Sequence, residues 1–199
     1  MDGHNIVVFG QKGHGKTTWI RTYLDENPEP LYFICDHFKE YDAPYYYSSI
    51  KEFLQITKHD ILELWKRKNV VFRGKIDFDE FFWLCTKVQN CVAVFDEIDL
   101  MGTYIQKNHP LYEIIHYGRH LNVGIISASR RPANVSRNLT SQADEIITFR
   151  IQEPRDLKYL EEFAGKDIAD KAPNLGIGEF MRYPPREKSD TESEPESEE

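Results

Sequence analysis

Residues 10–17, Gly-Gln-Lys-Gly-His-Gly-Lys-Thr, have the spacing of a loop that wraps around phosphate groups. Glycines let the backbone approach phosphate oxygens closely, and the amides at the start of a helix supply hydrogen-bond donors. Lys16 is expected to bridge the β- and γ-phosphates of ATP, and Thr17 is expected to offer its hydroxyl to Mg²⁺. The predicted nucleotide-binding residues are Gly10, Gln11, Lys12, Gly13, His14, Gly15, Lys16, Thr17 and Thr18.

Two acidic residues, Asp96 and Glu97, follow the apolar run Cys91 to Phe95. Such a run is typical of a central parallel strand that is covered on both faces. Its carboxyl end is expected to lie beside the glycine loop, with Asp96 holding Mg²⁺ through water. Glu97 is then placed to polarise a water molecule for attack on the γ-phosphate. The pair favours hydrolysis of ATP over transfer of its phosphate.

Polar and basic residues downstream are the remaining candidates for catalysis. Ser127 and Ser129 follow the apolar run Val123 to Ile126, where a hydroxyl could sense the γ-phosphate or simply mark a polar strand exit. An arginine finger neutralises charge that develops on the transferred phosphoryl group, and it often comes from a neighbouring subunit. The arginines considered for this role are Arg119, Arg130, Arg131, Arg137 and Arg150.

Apolar runs alternate with helical patterns along the chain, which predicts an α/β fold with a mainly parallel central sheet flanked by helices. The strands are expected at Ile6 to Phe9, Leu31 to Cys35, Cys91 to Phe95, Val123 to Ile126 and Glu145 to Phe149. The helices are expected from Lys16 to Leu24, from near Asp77, from Leu111 to Arg119 and from Pro154. Residues 37–76 are ambiguous, although Ser49 with Glu52 and Asp60 with Glu63 could each cap a helix. Short structure from Gly176 to Tyr183 is expected to close the fold.

The length and charge of the chain indicate one domain with a tail. Residues 1–183 are expected to form the ATPase domain, because 199 residues suit one core. Residues 184–199 are expected to be an acidic disordered tail, since residues 186–199 hold seven acids and two bases, a net charge of −5. The other 185 residues carry 23 − 26 = −3, which does not by itself point to nucleic acid.

Several classes of protein are disfavoured by composition. No apolar run approaches the ~18 residues of a membrane span, and the N-terminus has no signal-peptide pattern. The protein is therefore expected not to span a membrane and to be cytoplasmic. Cys35, Cys85 and Cys91 lack metal-ligand spacing and are expected to be buried structural thiols.

The order of these motifs resembles the FtsK–HerA superfamily of DNA-pumping ATPases, and most of all the small genome-packaging ATPases of viruses. The resemblance covers roughly residues 5–165. It rests on Gly10–Thr17, Cys91–Glu97, residues 118–124 (Gly-Arg-His-Leu-Asn-Val-Gly), residues 129–132 (Ser-Arg-Arg-Pro) and Phe149-Arg150. In that family an arginine in the position of Arg119 acts on the nucleotide of the neighbouring subunit. A polar pair, commonly Thr-Gln, often precedes Arg-Pro, and here Ser129-Arg130 stands in its place.

The resemblance implies a three-layer P-loop NTPase fold in which the strand from Val123 separates the Asp-Glu strand from the glycine-loop strand. It also implies ATP and Mg²⁺ as cofactors and a homo-oligomeric ring that moves double-stranded DNA, for a virus into a preformed capsid. The implied partners include a capsid or membrane-embedded shell protein, in the host cytoplasm or on the virion. Basic residues considered as DNA contacts are Lys107, Arg130, Arg131 and Arg137.

Two other functions remain open from the sequence. A small nucleotide or metabolite kinase could use the same phosphate loop, with residues 129–137 as an arginine-rich lid. Glu97 speaks against a kinase, because a water-activating carboxylate promotes hydrolysis. A regulatory GTPase is disfavoured because the chain has no Asn-Lys-x-Asp motif to read guanine.

Overall fold

The computed structural model describes residues 3–43, 46–55 and 69–184. Within them the strands are β1 (Asn5–Phe9), β2 (Leu31–Asp36), β3 (Tyr46–Tyr47), β4 (Asn69–Arg73), β5 (Cys91–Phe95), β6 (Val123–Ser129), β7 (Glu145–Thr148) and β8 (Met181–Tyr183). The helices are α1 (Lys16–Glu26), α2 (Ile50–Leu54), α3 (Phe78–Val88), α4 (Pro110–Leu121), α5 (Arg137–Ser141), α6 (Pro154–Ala164) and α7 (Lys166–Lys171). The predicted cap formed by Asp60 and Glu63, and the tail from residue 185 onward, lie outside the described residues.

The described strands form one sheet in the order β3-β4-β2-β5-β6-β1-β7-β8. All neighbouring pairs are parallel except β7 with β8. The predicted separation of β5 from β1 by β6 is confirmed. Since Phe95 is level with Ser127 and Phe9 with Ser129, β5 and β1 end at the same edge of the sheet.

Local sequence signals explain where several helices begin. The carboxylate of Asp77 accepts a hydrogen bond from the backbone N–H of Glu80 and starts α3, and the hydroxyl of Ser49 does the same for Glu52 in α2. Pro154 occupies the first turn of α6, where its missing N–H has no cost, and Gly165 ends that helix at φ 89°. These predicted starts and the predicted stop are confirmed.

The core lies on both faces of the sheet, as the near-continuous apolar strands require. One face packs against Ile20 and Leu24 of α1, and the other packs against α3, α4 and α6. Aromatic side chains of α3 lie in that core, with Phe81 and Phe82 fully buried. Helices therefore flank both faces of the sheet, which confirms the predicted α/β class. The three cysteines are free and buried, as predicted.

Some boundaries differ from the sequence-based expectation. Strand β6 continues to Ser129 instead of ending at Ile126, because its two serines are fully buried and continue the pairing with β1 and β5. Strand β7 ends at Thr148, and α1 extends to Glu26. None of the helices in the described part of the chain is long and apolar enough to cross a membrane.

Candidate nucleotide site

The glycine loop after β1 takes a backbone path that other residues would strain. Gly13 and Gly15 have φ of 78° and 108°, in the region that favours glycine. At Gly10, where φ is 150°, an added Cβ would lie 2.5 Å from the Cβ of Phe149. The loop therefore needs glycine for its backbone conformation at all three positions, and at Gly10 also for close packing.

The ammonium group of Lys16 is held against the loop itself. Its Nζ donates to the carbonyl oxygens of Gly10 at 2.8 Å and Gln11 at 3.2 Å. Burial lowers the pKa of Lys16, while the nearby charge of Asp96 opposes that shift. The positive charge thus lies at the start of α1, where phosphate oxygens would also meet the amides of the helix N-terminus.

Thr17 and Asp96 meet across the edge of the sheet, as the motif spacing predicts. The hydroxyl of Thr17 donates to the carboxylate of Asp96, with Oγ1 and Oδ2 2.9 Å apart. Burial raises the pKa of Asp96, and the hydrogen bond from Thr17 counteracts this. The two groups offer hard oxygen ligands, the type that Mg²⁺ prefers.

These ligands fit a metal that arrives with a nucleotide. Among the described residues, no group of three or more His, Cys, Asp or Glu side chains is arranged to hold a metal ion. Mg²⁺ commonly keeps several waters and is bound through one or two carboxylates together with substrate phosphates. Thr17 and Asp96 match that pattern.

Glu97 lies in a strained backbone conformation directly after β5. Its φ and ψ are 67° and 47°, the left-handed region that non-glycine residues seldom adopt outside special sites. The turn aims its carboxylate at Arg130, which follows β6, and the two side chains form an ion pair. The carboxylate is mostly buried, with 16% of the side chain exposed. The proposed water-activating group is therefore held by an arginine at the same sheet edge.

A single cleft of about 1020 Å³ joins these residues. That volume is at the upper end of the ~300–1,000 Å³ range usual for small-molecule sites. Its walls include Lys12, Gly13, Gly15, Lys16, Thr17 and Thr18 from the predicted loop, with Asp96, Glu97 and Arg130. Gly10, Gln11 and His14 are not among its lining residues, although the first two supply the carbonyls that hold Lys16.

Ser129 is positioned differently from the sequence-based expectation. It is fully buried at the end of β6, and its hydroxyl accepts a hydrogen bond from the backbone N–H of Arg131 at 2.9 Å. Ser127 is also buried and bonds to the carbonyl of Ile6. Neither serine lines the cleft, so the sensing role of Ser129 stays a prediction that this geometry does not favour.

Arg119 lies at the edge of the sheet opposite the glycine loop. It occupies the last turn of α4, just before β6 begins, and its side chain is 74% exposed. Its guanidinium bonds to Asp144, whose backbone N–H donates to the carbonyl of Asn5 at the start of β1. Arg119 therefore does not reach the cleft of its own chain.

The other candidate arginines are held in different surroundings. Arg131 donates to the buried carboxylate of Asp156 at 2.7 Å and also pairs with Glu153. Arg137 pairs with Glu162 and lies over the ring of Tyr159. Arg150 follows β7, and its carbonyl accepts from Gln11 at 2.9 Å. Of the five arginines considered, all of which the structure describes, Arg130 is the one that lines the cleft.

Two parts of the cleft were missed by the sequence analysis. Glu40, in the loop after β2, bonds to Thr17 with Oε2 and Oγ1 3.2 Å apart. The segment before β8 adds Ile177 and Phe180, and Gly178 donates its N–H to the carbonyl of His14. The available signal for Glu40 was an acidic residue just beyond an apolar strand, since loops after parallel strands gather at one edge.

In sequence, part of the chain is similar to HerA, a DNA double-strand break repair helicase. It is 38% identical over 71 residues to HerA of Sulfolobus acidocaldarius and 36% identical over 74 residues to a probable HerA of Methanocaldococcus jannaschii. These matches cover 34% and 36% of this chain, but only 14% and 15% of the relatives. The chain thus spans a small part of the length of these relatives, and no family model matches it.

In structure, the similarity extends over almost the whole chain. The genome packaging NTPase B204 from Sulfolobus turreted icosahedral virus 2, solved in complex with AMPPCP, aligns with a TM-score of 0.74 and 25% identity. That alignment covers 92% of this chain and 93% of the other. The sulfate complex of the same NTPase gives a TM-score of 0.73 and 22% identity, covering 92% of each chain.

Proposed function

We propose that this chain is a P-loop ATPase of the FtsK–HerA superfamily and that it acts as a Mg²⁺-dependent motor, which hydrolyses ATP to move double-stranded DNA. The observation that carries the proposal is the cleft in which Lys16, Thr17, Asp96 and Glu97 come together. The names of the similar proteins, a DNA repair helicase and a genome packaging NTPase, support DNA as the substrate that is moved.

The chemistry follows from the groups in the cleft. Lys16 binds the β- and γ-phosphates, and Glu97 takes a proton from the attacking water. Thr17 and Asp96 would hold Mg²⁺, which would supply positive charge at the phosphate oxygens. Arg130 leaves Glu97 when a γ-phosphate offers its guanidinium a more highly charged partner, and this frees the carboxylate for the water. Hydrolysis is thereby coupled to occupancy of the site.

The active unit in this proposal is a homo-oligomeric ring. Arg119 is exposed on the edge opposite the cleft, so it can act as an arginine finger only on the nucleotide of a neighbouring subunit. A charge supplied across an interface makes hydrolysis depend on assembly, and it lets one subunit report its state to the next.

The proposal also includes the residues that contact DNA and the place where the motor acts. Lys107 lies exposed in the loop before α4, three residues after Tyr104, which is 78% exposed, and this loop suits contact with DNA phosphates. Arg130, Arg131 and Arg137 are engaged with carboxylates within the chain, which makes them weaker candidates. By analogy with the packaging NTPase, we assign the motor to loading a viral genome into a preformed capsid. It would act in the host cytoplasm or on the virion, beside a capsid or membrane-embedded shell protein.

The proposal is tested by measuring the ATPase rate against protein concentration, with and without long double-stranded DNA at low salt. We expect the rate per subunit to rise with concentration, because the finger acts between subunits, and to rise further with DNA. A rate that is flat and indifferent to DNA would overturn the motor. If a small-molecule phosphate acceptor then accelerated turnover, the kinase would replace it.

Replacement of Glu97 by Gln tests the role of the carboxylate within the same assay. The amide keeps the size of the side chain but cannot accept a proton, so turnover should fall by about 100-fold to 10,000-fold. Binding of ATP should persist, because the phosphate contacts come from the loop. Full turnover in this variant would remove Glu97 as the general base.

A further inference from the structure

The loop that follows β2 is built around a buried carboxylate. Asp36 is 2% exposed, and its oxygens accept the backbone N–H of Glu40 at 2.8 Å and of Tyr41 at 3.3 Å. Arg73 of β4 balances the charge, with Nε 3.0 Å from the same carboxylate. Lys39, at φ 59°, makes the tight turn that brings Glu40 back over the strand end.

Contacts from two other elements hold the backbone on either side of Glu40. Tyr41 is buried. Its carbonyl accepts a hydrogen bond from Arg73, the same guanidinium that pairs with Asp36. From α1, Arg21 donates to the carbonyl of Glu40 itself. The backbone of Glu40 is therefore held by β2, β4 and α1 together, while its side chain is exposed at the mouth of the cleft.

This scaffold aims Glu40 at the hydroxyl that the nucleotide site needs for its metal. Thr17 Oγ1 lies 3.2 Å from Glu40 Oε2 and 2.9 Å from Asp96 Oδ2. A hydroxyl has one hydrogen, so it can donate fully to only one of these carboxylates at a time. The oxygens of Thr17, Glu40 and Asp96 thus converge, with two negative charges and a single hydroxyl proton among them. Burial is the main reason why the pKa of Asp96 is raised, and the charge of Glu40 adds to it. Such a group of oxygens suits a hydrated cation.

We propose that Glu40 is a positioning residue of the nucleotide–Mg²⁺ site, where its carboxylate accepts a hydrogen bond from a water bound to the metal at Thr17. The inference rests on the proposed function, because the metal enters with ATP. Mg²⁺ parts with its waters reluctantly, so a carboxylate that orients those waters adds to metal affinity without being a direct ligand. The competing explanation is that Glu40 only ties its loop to α1 through Thr17.

Replacement of Glu40 by Gln separates the two explanations. The amide oxygen of Gln can still accept from Thr17, so a purely structural tie would survive, whereas the negative charge is lost. Affinity for ATPγS is measured in EDTA and across a Mg²⁺ titration. We expect the ratio of the dissociation constant in EDTA to that in saturating Mg²⁺ to fall by about 10-fold or more, as for other residues that orient metal-bound groups. Removing a negative charge should leave binding in EDTA unchanged or tighter.

A matched control and a second readout make the test specific. Glu29→Gln makes the same charge change in the exposed bend between α1 and β2, and it should leave the ratio as in wild type. In the ATPγS complex, Mn²⁺ in place of Mg²⁺ reports the metal directly by electron paramagnetic resonance, and Glu40→Gln should weaken its binding. Glu40→Asp, which keeps the charge, should lie between wild type and Glu40→Gln.

The outcomes distinguish this inference from the proposed function. If wild type binds ATPγS with Mg²⁺ but Glu40→Gln gives the same Mg²⁺ titration, Glu40 is only a tie and the inference is overturned. Reduced turnover with an unchanged Mg²⁺ titration overturns it equally. Wild type that binds no ATPγS under any condition would overturn the proposed function itself. Circular dichroism of each variant establishes that it is folded before binding is compared.

Discussion

Replacement of Arg119 by Ala should affect turnover far more than it affects stability. Its partner Asp144 keeps a hydrogen bond from the backbone N–H of Asn5 at 2.8 Å when the arginine is removed. Since Arg119 is 74% exposed and forms a surface ion pair, Arg119→Ala should lower the free energy of unfolding by no more than ~1 kcal/mol. The loss of an arginine finger, in contrast, should reduce turnover by about 10³-fold to 10⁵-fold, or ~4–7 kcal/mol in the barrier.

Three measurements compare Arg119→Ala with wild type: stability, ATP binding and turnover. Urea unfolding gives the change in stability, with an unchanged dependence on urea concentration expected. ATP binding should match wild type, because Arg119 lies at the opposite sheet edge from the cleft. Turnover should be lost at high protein concentration, where wild type assembles. Mixing Arg119→Ala with Glu97→Gln protein should restore part of the rate, because each variant retains what the other lacks.

A control variant and two kinds of contrary result complete the test of Arg119. Arg155→Ala removes another exposed arginine, near the start of α6, and should retain wild-type turnover. Wild-type turnover in assembled Arg119→Ala would refute the finger, as would failure to recover activity at every mixing ratio. An unfolding free energy lowered by more than ~2 kcal/mol would refute the structural part of the reasoning.

Two further changes test the phosphate loop and its supports. Lys16→Ala should reduce turnover by at least ~100-fold, because it removes a preorganised positive charge, and ATP hydrolysis by assembled protein checks this; near-normal turnover would contradict the assigned role. Asp156→Ala should lower the free energy of unfolding by about 3 kcal/mol, because it removes a buried partner of Arg131 and leaves the backbone N–H of Ala133 unpaired. Urea unfolding measures that loss, and a change below ~1 kcal/mol would show that water replaces the carboxylate.

The sequence by itself determined the phosphate loop, the Asp-Glu strand end and the α/β class. These features are local, because glycine spacing, helix caps and apolar runs act over a few neighbouring residues. The cap at Asp77 followed from such a local signal, whereas the order of β5, β6 and β1 was implied by the family resemblance.

The tertiary structure decided which side chains share the cleft. Glu40 and Phe180 come from chain segments 23 and 163 residues away from Thr17, and no spacing rule links them to the loop. Packing also decided the different surroundings of the arginines. Arg130 pairs with Glu97 in the cleft, Arg131 pairs with a buried carboxylate, and Arg119 lies at the opposite edge of the sheet. Motif spacing specifies what a segment can bind, whereas the sheet order and the burial of individual charges specify what it meets, because both depend on contacts between residues distant in the chain.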